Sequence, residues 1–281
     1  MIRRIAMTGA GGMLGHDLVH VFGGEDIIAY GFKDLDITNQ EAVFERLITI
    51  QPDVVINATG YTDVDRAETE EELANSVNGY AIGNLAKACR EIDATLVHFS
   101  TDYVFKGDKK GGYNEEDVTS PINAYGRSKA KGEEALQRLC HLYYLVRTSW
   151  LYGAGGKNFV TTMLDLAKTK SALRVVDDQH GKPTFTDDLA FFIKLLVLEK
   201  APTGIYHGVN EGETTWCDLT KEIFKQAGVT STVQPCTSAE FPRPAKRPEW
   251  STLINTKRPL MRPWPEALRD FLFQLGYPPT V

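Results

Sequence analysis

IRRIAMTGAGGMLG, residues 2–15, is the stretch that decides the fold. An apolar run with β character, Ile2 to Thr8, leads into glycines at positions 9, 12 and 15, and helical apolar spacing then continues to Phe22. In the spacing T-G-x-x-G-x-x-G, one glycine makes the tight turn, one lets the backbone approach a pyrophosphate, and one lets the helix pack on the strand. The pattern predicts a dinucleotide-binding strand–turn–helix unit, and a plain glycine-rich turn is the alternative. A Walker A loop is excluded, because no Lys-Ser or Lys-Thr pair follows the last glycine.

Strand-like and helix-like segments alternate along the first 150 residues. Thr38 is the expected N-cap of the second helix. The alternation predicts an α/β fold with a Rossmann-type, doubly wound parallel sheet and helices on both faces. The predicted strands after the first are residues 27–32, 53–57, 95–100 and 142–147. The predicted helices after the first are residues 40–50, 66–91 and about 125–139.

The pattern changes after residue 153. A glycine-rich loop is followed by short strands at 173–176 and 204–209 and by four more helical segments, the last at 265–275. We expect a dinucleotide-binding Rossmann domain over residues 1–152 and, over 153–281, a smaller lobe that mostly binds substrate. Residues of about 173–199 are expected to pack back on the Rossmann domain.

Composition excludes several classes of protein. The 281 residues carry a net charge of −6, which argues against a nucleic-acid binder that relies on bulk positive charge. Four cysteines are scattered without a C-x-x-C pair, so they indicate thiols in a reducing compartment rather than a disulfide framework or a zinc site. No stretch approaches the ~18 apolar residues of a membrane span. We therefore expect a soluble, cytoplasmic protein with no nucleic-acid or membrane partner.

Tyr125 and Lys129 are the candidate catalytic pair. Residues i and i+4 share one helix face, and an ammonium group beside a phenol stabilises the phenolate and lowers the phenol pKa. A tuned phenol can exchange a proton with a substrate oxygen. Thr101-Asp102 and Trp150 follow neighbouring predicted strands, at the sheet edge where ligands bind. His98, inside its strand, is expected to be a core residue.

Lys33 stands where an NAD-binding protein carries an acidic residue after its second strand. A lysine there can accept a 2′-phosphate, which favours NADPH, and a solvated loop lysine is the alternative. Residues 235–263 are rich in proline, arginine and lysine, including Arg258. Two interpretations of this segment stay open, a solvated basic linker and a clamp for a diphosphate.

These motifs together resemble the extended short-chain dehydrogenase/reductase family. The glycine turn, Tyr125-x-x-x-Lys129, Tyr61-Thr-Asp-Val-Asp65, Arg147-Thr-Ser-Trp-Leu-Tyr152 and Asp178-Gln-His-Gly-x-Pro-Thr184 carry the resemblance, which runs over nearly the whole chain. It implies a reductase that transfers hydride from NADPH to the C4 keto group of a dTDP-linked 6-deoxysugar, with NADH as a further candidate donor. The partner is then a small nucleotide sugar, and the protein is a monomer or a homodimer.

The resemblance also assigns roles to residues. Tyr125 protonates the C4 oxygen, Lys129 binds the nicotinamide ribose and lowers the tyrosine pKa, and Thr101 hydrogen-bonds near the reacting carbonyl. The implied cofactor-binding residues are Gly9, Gly12, Met13, Leu14, Gly15, Lys33, Asp36, Ile37, Ala58, Gly60, Tyr61, Thr62, Phe99, Tyr125 and Lys129. The implied substrate-binding residues are Val64, Thr101, Asp102, Tyr125, Trp150, Asn158 and Arg247.

The sequence differs from the family pattern at the metal-binding positions, and two other functions compete with the reductase interpretation. Some members dimerise through Mg²⁺ held by glutamates near the termini, but here the early position is Asp17 and the tail 276–281 has no carboxylate side chain. We therefore assign no metal ligand, and a magnesium requirement stays open. The rivals are a sugar-nucleotide epimerase or dehydratase of the same superfamily, and a non-catalytic regulatory subunit with this fold. An acid pair that a dehydratase needs is absent at Thr101-Asp102-Tyr103.

Overall fold

The computed structural model describes residue 2, residues 4–257 and residues 260–278. Arg258 of the basic segment, and residues 279–281 of the tail, lie outside the described residues. Within these ranges, every helix is too short or too polar to cross a lipid bilayer.

Helices and strands alternate from the start of the chain. The α-helices are α1 Met13–Val21, α2 Gln40–Ile50, α3 Glu71–Asn75, α4 Ala81–Glu91, α5 Ala124–Leu139, α6 Phe159–Ala167, α7 Thr186–Leu198, α8 Trp216–Ala227 and α9 Trp264–Gln274. The strands are β1 Ile5–Thr8, β2 Ile27–Tyr30, β3 Val54–Asn57, β4 Thr95–Thr101, β5 Tyr143–Thr148, β6 Leu151–Tyr152, β7 Ala172–Val176, β8 His180–Gly181, β9 Thr184–Phe185, β10 Gly204–His207, β11 Thr214–Thr215 and β12 Thr232–Cys236.

The main sheet has six strands in the order β10-β5-β4-β3-β1-β2, and every pair is parallel. After β2 the chain crosses to the other side of β1, so the order reverses between β1 and β3. Ligands of open α/β sheets bind in the crevice at such a switch point, outside the carboxyl ends of the strands. Here the glycine turn after β1 and the segment after β3 border that crevice.

Helices cover both faces of this sheet, as the sequence predicts. One face is buried under α1 and α7 in a core that includes Leu18, Phe22 and Ile193. The other is buried under α2, α4 and α5, with Leu85 and Leu136 at its centre. The strands between them are apolar on both sides, which is typical of a parallel sheet inside a doubly wound fold.

The second half of the chain divides between the main sheet and a smaller lobe. In the lobe, β7 pairs with β12, and α6, α8 and α9 pack around a separate core. The segments that return to the main sheet are α7 and β10, the latter pairing with β5. Within the predicted range 173–199, α7 packs on the main sheet, whereas β7 lies in the lobe. Strand β10 also joins the main sheet but lies outside that range. The division at residue 152 stays a prediction.

Two local predictions differ from the structure. The N-cap of α2 is Asn39, whose side chain accepts a hydrogen bond from the N–H of Ala42, and not Thr38, whose hydroxyl bonds Asp36. The predicted helix 66–91 is broken into a 3₁₀ turn, the short helix α3, a π-helical turn at Ser76–Tyr80 and α4. Packing against α5 overrides the smooth helical pattern there, since a Cβ atom on Gly132 would lie 2.1 Å from the carbonyl oxygen of Asn78.

Candidate active site

The glycine turn joins β1 to α1 at the carboxyl end of the sheet. Gly9 has a φ of 75°, and a Cβ atom there would lie 2.5 Å from the carbonyl carbon of Ala58, just after β3. A Cβ atom on Gly15 would lie 2.1 Å from the carbonyl oxygen of Gly9. Gly12 precedes the helix and has no side chain to cap it. The first N–H groups of α1, at Met13 and beyond, are thus left without a side-chain acceptor, which is the arrangement that binds a pyrophosphate.

A buried polar network holds the far side of the crevice. Asn57, at the end of β3, accepts hydrogen bonds from the Thr8 hydroxyl at 2.7 Å and the Thr59 N–H at 3.1 Å. Its amide nitrogen lies 3.1 Å from Nδ1 of His98 on β4. His98 is fully buried, and burial lowers its pKa well below the usual value. The prediction that His98 is a core residue is confirmed, since it braces two strands.

Helix α5 carries Tyr125 and Lys129 to the carboxyl edge of β4. Asn123 caps the helix by accepting a hydrogen bond from the N–H of Gly126 at 2.7 Å. The Lys129 ammonium is buried and donates to the carbonyl oxygen of Phe99 at 3.1 Å. A Cβ atom on Gly60 would lie 3.0 Å from Lys129 Nζ, so the ammonium reaches the backbone after β3.

The proton affinities at this site are set mainly by burial. Burial raises the pKa of Tyr125 to about 12, a hydrogen bond with Thr101 lowers it, and the Asp102 charge raises it. The net pKa shift of Tyr125 is therefore upward, because desolvation of the phenolate outweighs the hydrogen bond with Thr101. The expectation that Lys129 lowers the tyrosine pKa stays a prediction. Burial also lowers the pKa of Lys129 to about 8, and the Glu133 carboxylate one turn further along α5 opposes this. The lysine remains mostly protonated at neutral pH.

Asp102 is the second titratable group of the site. It is 2% exposed, and burial raises its pKa to about 7. One carboxyl oxygen lies 3.0 Å from the Thr101 hydroxyl, and the other accepts a short hydrogen bond from Ser251. The substrate-binding role predicted for Asp102 stays a prediction, and in the structure both oxygens are engaged by protein hydroxyls.

Residues 245–251, which we name the strap, cross over this site from the basic segment. Arg247 forms a double hydrogen bond with Asp65, at 2.8 and 3.0 Å, and also contacts Tyr103. Asn123 donates to the carbonyl oxygen of Lys246 at 2.8 Å. With the Ser251 bond to Asp102, these contacts tie the strap to three separate parts of the sheet edge. Ser251 was not among the predicted site residues.

Asn78 is the other residue that sequence reasoning missed. It lies in the π-helical turn, accepts a hydrogen bond from the N–H of Tyr61, and donates to the Tyr61 carbonyl and the Ser128 hydroxyl. It therefore fixes the segment that carries Gly60 against α5. A buried asparagine in an otherwise smooth helical pattern was the available signal, and π-helical turns frequently occur at functional sites.

The remaining predicted cofactor residues are spread along the crevice. Lys33 is exposed in the turn after β2, and the buried Ile37 lies beyond it. The carboxylate of Asp36 accepts hydrogen bonds from both the N–H and the hydroxyl of Thr38. Thr62 is exposed, and the Tyr61 hydroxyl donates to Glu70 at 2.7 Å. The structure therefore brings Gly60, Phe99 and Lys129 together but leaves Lys33 at the rim.

Trp150 occupies a strained position beside the lobe. Its φ is 47°, and its ring stacks on Trp216 with centroids 3.6 Å apart. A Cβ atom on Gly181 would lie 2.7 Å from the same ring, so the tryptophan is held on both sides. Asn158 instead caps α6, and its amide donates to the carbonyls of Gly153 and Gly156. Asn158 thus hydrogen-bonds within its own loop. Val64 is half-buried and directly precedes Asp65, which binds Arg247 of the strap.

Two adjoining cavities lie between the lobe and the strap. The larger, of about 620 Å³, is lined by four cations, Lys106, Arg243, Lys246 and Arg247, and by three carboxylates, Asp108, Asp178 and Glu249. The second, of about 350 Å³, is mostly apolar and includes Phe159, Met163 and Trp216 in its lining. Both cavities are lined by Gln179, Phe241, Arg243 and Arg247. An aromatic pocket that opens beside a cationic one suits a nucleobase joined to a diphosphate.

The carboxylates that could hold a metal ion are engaged in contacts within the protein. Asp17 hydrogen-bonds the Thr186 hydroxyl and the His16 ring. Among the described residues, one group of potential ligands comes within 4.8 Å of one another, Asp177, Cys217 and Asp218. The carboxylate of Asp177 already accepts a hydrogen bond from Thr215, and Asp218 is paired with Lys221.

A glycine turn at the switch point, with the half-buried Tyr125 and the buried Lys129 and Thr101 beside it, defines the class of nicotinamide-dependent short-chain dehydrogenases/reductases. Within that class, the chain belongs to the family described as RmlD substrate binding domain, which matches residues 3–276. A dTDP-4-dehydrorhamnose reductase from Streptomyces griseus is 43% identical over 281 residues, covering 95% of this chain and 92% of the relative.

Two solved structures have the same architecture over the whole length. A dTDP-4-dehydrorhamnose reductase from Clostridium acetobutylicum is 41% identical with a TM-score of 0.95, covering 97% of this chain and 99% of that one. A dTDP-4-dehydrorhamnose reductase from Bacillus anthracis, in complex with NADP, is 39% identical with a TM-score of 0.94, covering 98% of this chain and 100% of the other. The predicted Rossmann-type fold is confirmed by these likenesses.

Proposed function

We propose that this enzyme reduces the C4 keto group of dTDP-4-dehydro-6-deoxy-L-mannose (dTDP-4-dehydrorhamnose) with NADPH. The product is dTDP-L-rhamnose, a nucleotide sugar for polysaccharide biosynthesis. The observation that carries the proposal is the group of Tyr125, Lys129 and Thr101 at the carboxyl edge of β4. Relatives of about 40% identity that are reductases of this sugar support the choice of substrate.

The residues present fit a bound nicotinamide dinucleotide. The uncapped start of α1 suits the pyrophosphate, and Gly60, which has no side chain, lets the Lys129 ammonium approach the backbone after β3. NADPH, when bound, supplies the hydride. Lys33 is exposed beyond β2, where a lysine can pair with a 2′-phosphate, and this supports NADPH over NADH.

The chain's own residues handle the proton. Tyr125 donates its phenolic proton to the C4 oxygen as negative charge develops there, and Thr101 holds the phenol by a hydrogen bond. Lys129 binds the nicotinamide ribose, and its positive charge favours the phenolate that forms. A phenol with a raised pKa keeps its proton until the substrate oxygen becomes basic enough to take it. Thus the resting enzyme holds Tyr125 protonated at neutral pH.

The two cavities supply a binding place for the rest of the substrate. We assign the aromatic cavity around Phe159 and Trp216 to the base and the cationic cavity around Arg243 and Lys246 to the diphosphate. The sugar then lies between Trp150 and Thr101. The basic segment thus acts as a diphosphate clamp, with Arg247 held in place by Asp65.

Oxidation of NADPH in the presence of dTDP-4-dehydrorhamnose tests the proposal. We expect turnover by the wild-type enzyme and a loss of about a hundredfold or more in Tyr125→Phe, which keeps the ring but has no proton to give. Tyr143→Phe, at the far end of β5, is the matched control and should retain full activity. The same assay with NADH measures the preference that Lys33 predicts. A wild-type enzyme that consumes no NADPH with this sugar contradicts the proposal.

The rival functions make different predictions for the same protein. An epimerase holds its dinucleotide through turnover, so the purified protein carries bound nicotinamide and consumes none. A regulatory subunit binds the dinucleotide without any sugar-dependent oxidation. We also propose that residues 1–152 mostly bind NADPH and residues 153–281 mostly bind the nucleotide sugar. The monomeric or homodimeric state and the cytoplasmic location stay predictions, the latter supported by four free, buried cysteines.

A further inference from the structure

A continuous line of hydroxyl and carboxyl groups leads inward from the reacting tyrosine. Tyr125 hydrogen-bonds Thr101, the Thr101 hydroxyl lies 3.0 Å from one oxygen of Asp102, and Ser251 of the strap bonds the other oxygen. Thr101, Asp102 and Ser251 are each no more than 6% exposed. A buried carboxyl at the end of such a line is unusual unless it is paired with a cation, and among the described residues no salt bridge is found for Asp102.

We propose that Asp102 is a proton reservoir that returns a proton to Tyr125 through Thr101 after each turnover. This inference rests on the proposed function, because it takes Tyr125 as the donor to the substrate oxygen. It assigns Asp102 a role in proton transfer rather than the direct contact with the sugar predicted from the sequence.

The proton balance of the step is simple. Loss of the phenolic proton to the substrate leaves a phenolate at Tyr125. The Thr101 hydroxyl gives its proton to that phenolate, and the Asp102 carboxyl gives its own proton to the Thr101 oxygen. Three O–H bonds form and three break when donation to the substrate is included, and Asp102 is left as a carboxylate. Asp102 then takes a proton from water before the next turnover.

Burial explains why this carboxyl can store a proton near neutrality. The pKa of Asp102 is raised to about 7 by burial, although hydrogen bonds from Ser251 and Thr101 lower it. The titratable groups around it are Tyr103 and Tyr125, with Arg247 and Asp65 beyond Tyr103. An ionised Asp102 also raises the pKa of Tyr125, so it makes the phenol a weaker acid. The two acids therefore behave as a coupled pair in which only one charge is readily tolerated.

The strap makes the reservoir dependent on the basic segment. Ser251 is fixed by its N–H bond to the carbonyl oxygen of His180, at 3.0 Å, and its hydroxyl caps Asp102. Asp65 and Arg247 hold the other end of the strap. The strap therefore restricts the access of bulk water to Asp102 without closing it off, and this low exposure is the condition for the raised pKa.

The first test reads the stored proton directly, without turnover. Infrared difference spectra of the wild-type enzyme with bound NADP⁺, taken between pH 6 and pH 8.5, should show loss of a protonated-carboxyl C=O band with a midpoint near 7. The band should be missing in Asp102→Asn and retained in Glu115→Gln, which removes another carboxyl that is 2% exposed. A wild-type spectrum without this band overturns the inference, whether or not the sugar is reduced.

The second test measures turnover. In the wild type, kcat should fall as pH rises through about 7, because the carboxyl of Asp102 is then ionised. The solvent-isotope dependence of kcat should indicate that more than one proton is transferred in the same step. Asp102→Asn should lower kcat on the order of a hundredfold with KM little changed, and it should remove both features. Asp102→Asn with an unchanged pH profile, or with a raised KM and an unchanged kcat, contradicts the relay. Failure of wild-type turnover refutes the reductase proposal instead, and the infrared titration still decides whether Asp102 holds the proton.

Discussion

Arg147 and Glu133 form a buried ion pair one helical turn beyond Lys129. The guanidinium of Arg147 on β5 donates two hydrogen bonds to Glu133 on α5, at 3.0 and 2.7 Å, and both side chains are 3% exposed. Glu133 is one helical turn beyond Lys129, and its charge is the contact that opposes the fall in the lysine pKa. The pair thus links β5 to the helix that carries Tyr125 and Lys129.

Removing one partner of this pair should be much worse than removing both. We expect Arg147→Met to lower the free energy of unfolding by about 3–5 kcal/mol, since Glu133 is left as an uncompensated buried charge. The double variant Arg147→Met/Glu133→Leu should recover most of that loss. Denaturant unfolding measures the free energy of unfolding of the single and the double variant. Equal losses in the single and double variants would show that packing, not charge, accounts for the effect.

At the scale of the element, the turn between β1 and α1 is determined by backbone contacts. Gly15 touches the Gly9 carbonyl across the turn, and Gly9 touches the backbone after β3. These contacts hold the N-terminus of α1 close to the switch point of the sheet. A side chain at either glycine would move the N–H groups that the pyrophosphate needs.

Gly15→Ala should weaken NADPH binding. The added Cβ atom would lie 2.1 Å from the Gly9 oxygen, and overpacking of about 1–3 kcal/mol corresponds to roughly a tenfold loss of affinity or more. Gly24→Ala is the matched control, because a Cβ atom at Gly24 meets no atom within 4 Å. Titration of NADPH by fluorescence measures both variants. Tight binding by Gly15→Ala would mean that α1 does not hold the cofactor in this way.

At the scale of the whole molecule, the join between the second half of the chain and the main sheet contains a buried histidine. His207 ends β10, is fully buried, and its ring bonds the carbonyl oxygen of Ile254. Burial lowers its pKa to about 3, and the nearby Arg147 charge acts in the same direction. The unfolded chain therefore binds a proton at this residue between about pH 6.5 and pH 3 that the folded chain does not bind.

His207 should make the protein less stable as the solution is acidified. The contribution of His207 is complete above about pH 6.5 and falls by about 1.4 kcal/mol per pH unit below it. Asp102 acts in the opposite direction between about pH 4 and pH 7, because the folded state holds its proton more tightly. Both the wild type and His207→Gln contain Asp102, so its contribution cancels when their slopes of unfolding free energy against pH are subtracted. Unfolding free energies at pH 5 and pH 6 measure that difference, and identical slopes would show that His207 is not responsible.

Sequence alone determined the features that depend on local spacing. The glycines of the first turn, the strand–helix alternation and the i,i+4 placement of Tyr125 and Lys129 are short-range patterns, and the structure has each of them. Because parallel strands bring their carboxyl ends to one edge, the sequence also placed Thr101 and Trp150 near that pair. The resemblance to a reductase family followed from the same motifs.

Tertiary structure decided whatever depends on burial and on contacts between distant residues. The upward direction of the net Tyr125 pKa shift followed from desolvation, which no spacing reveals. The breaks in the predicted helix 66–91 came from packing on α5. Ser251 met Asp102 across 149 residues of sequence, so only the folded chain could turn a predicted sugar contact into the end of a hydrogen-bonded line. Local patterns depend on residues that are neighbours along the chain, whereas the pKa of a buried group depends on all the residues, near or distant in sequence, that shield it from water.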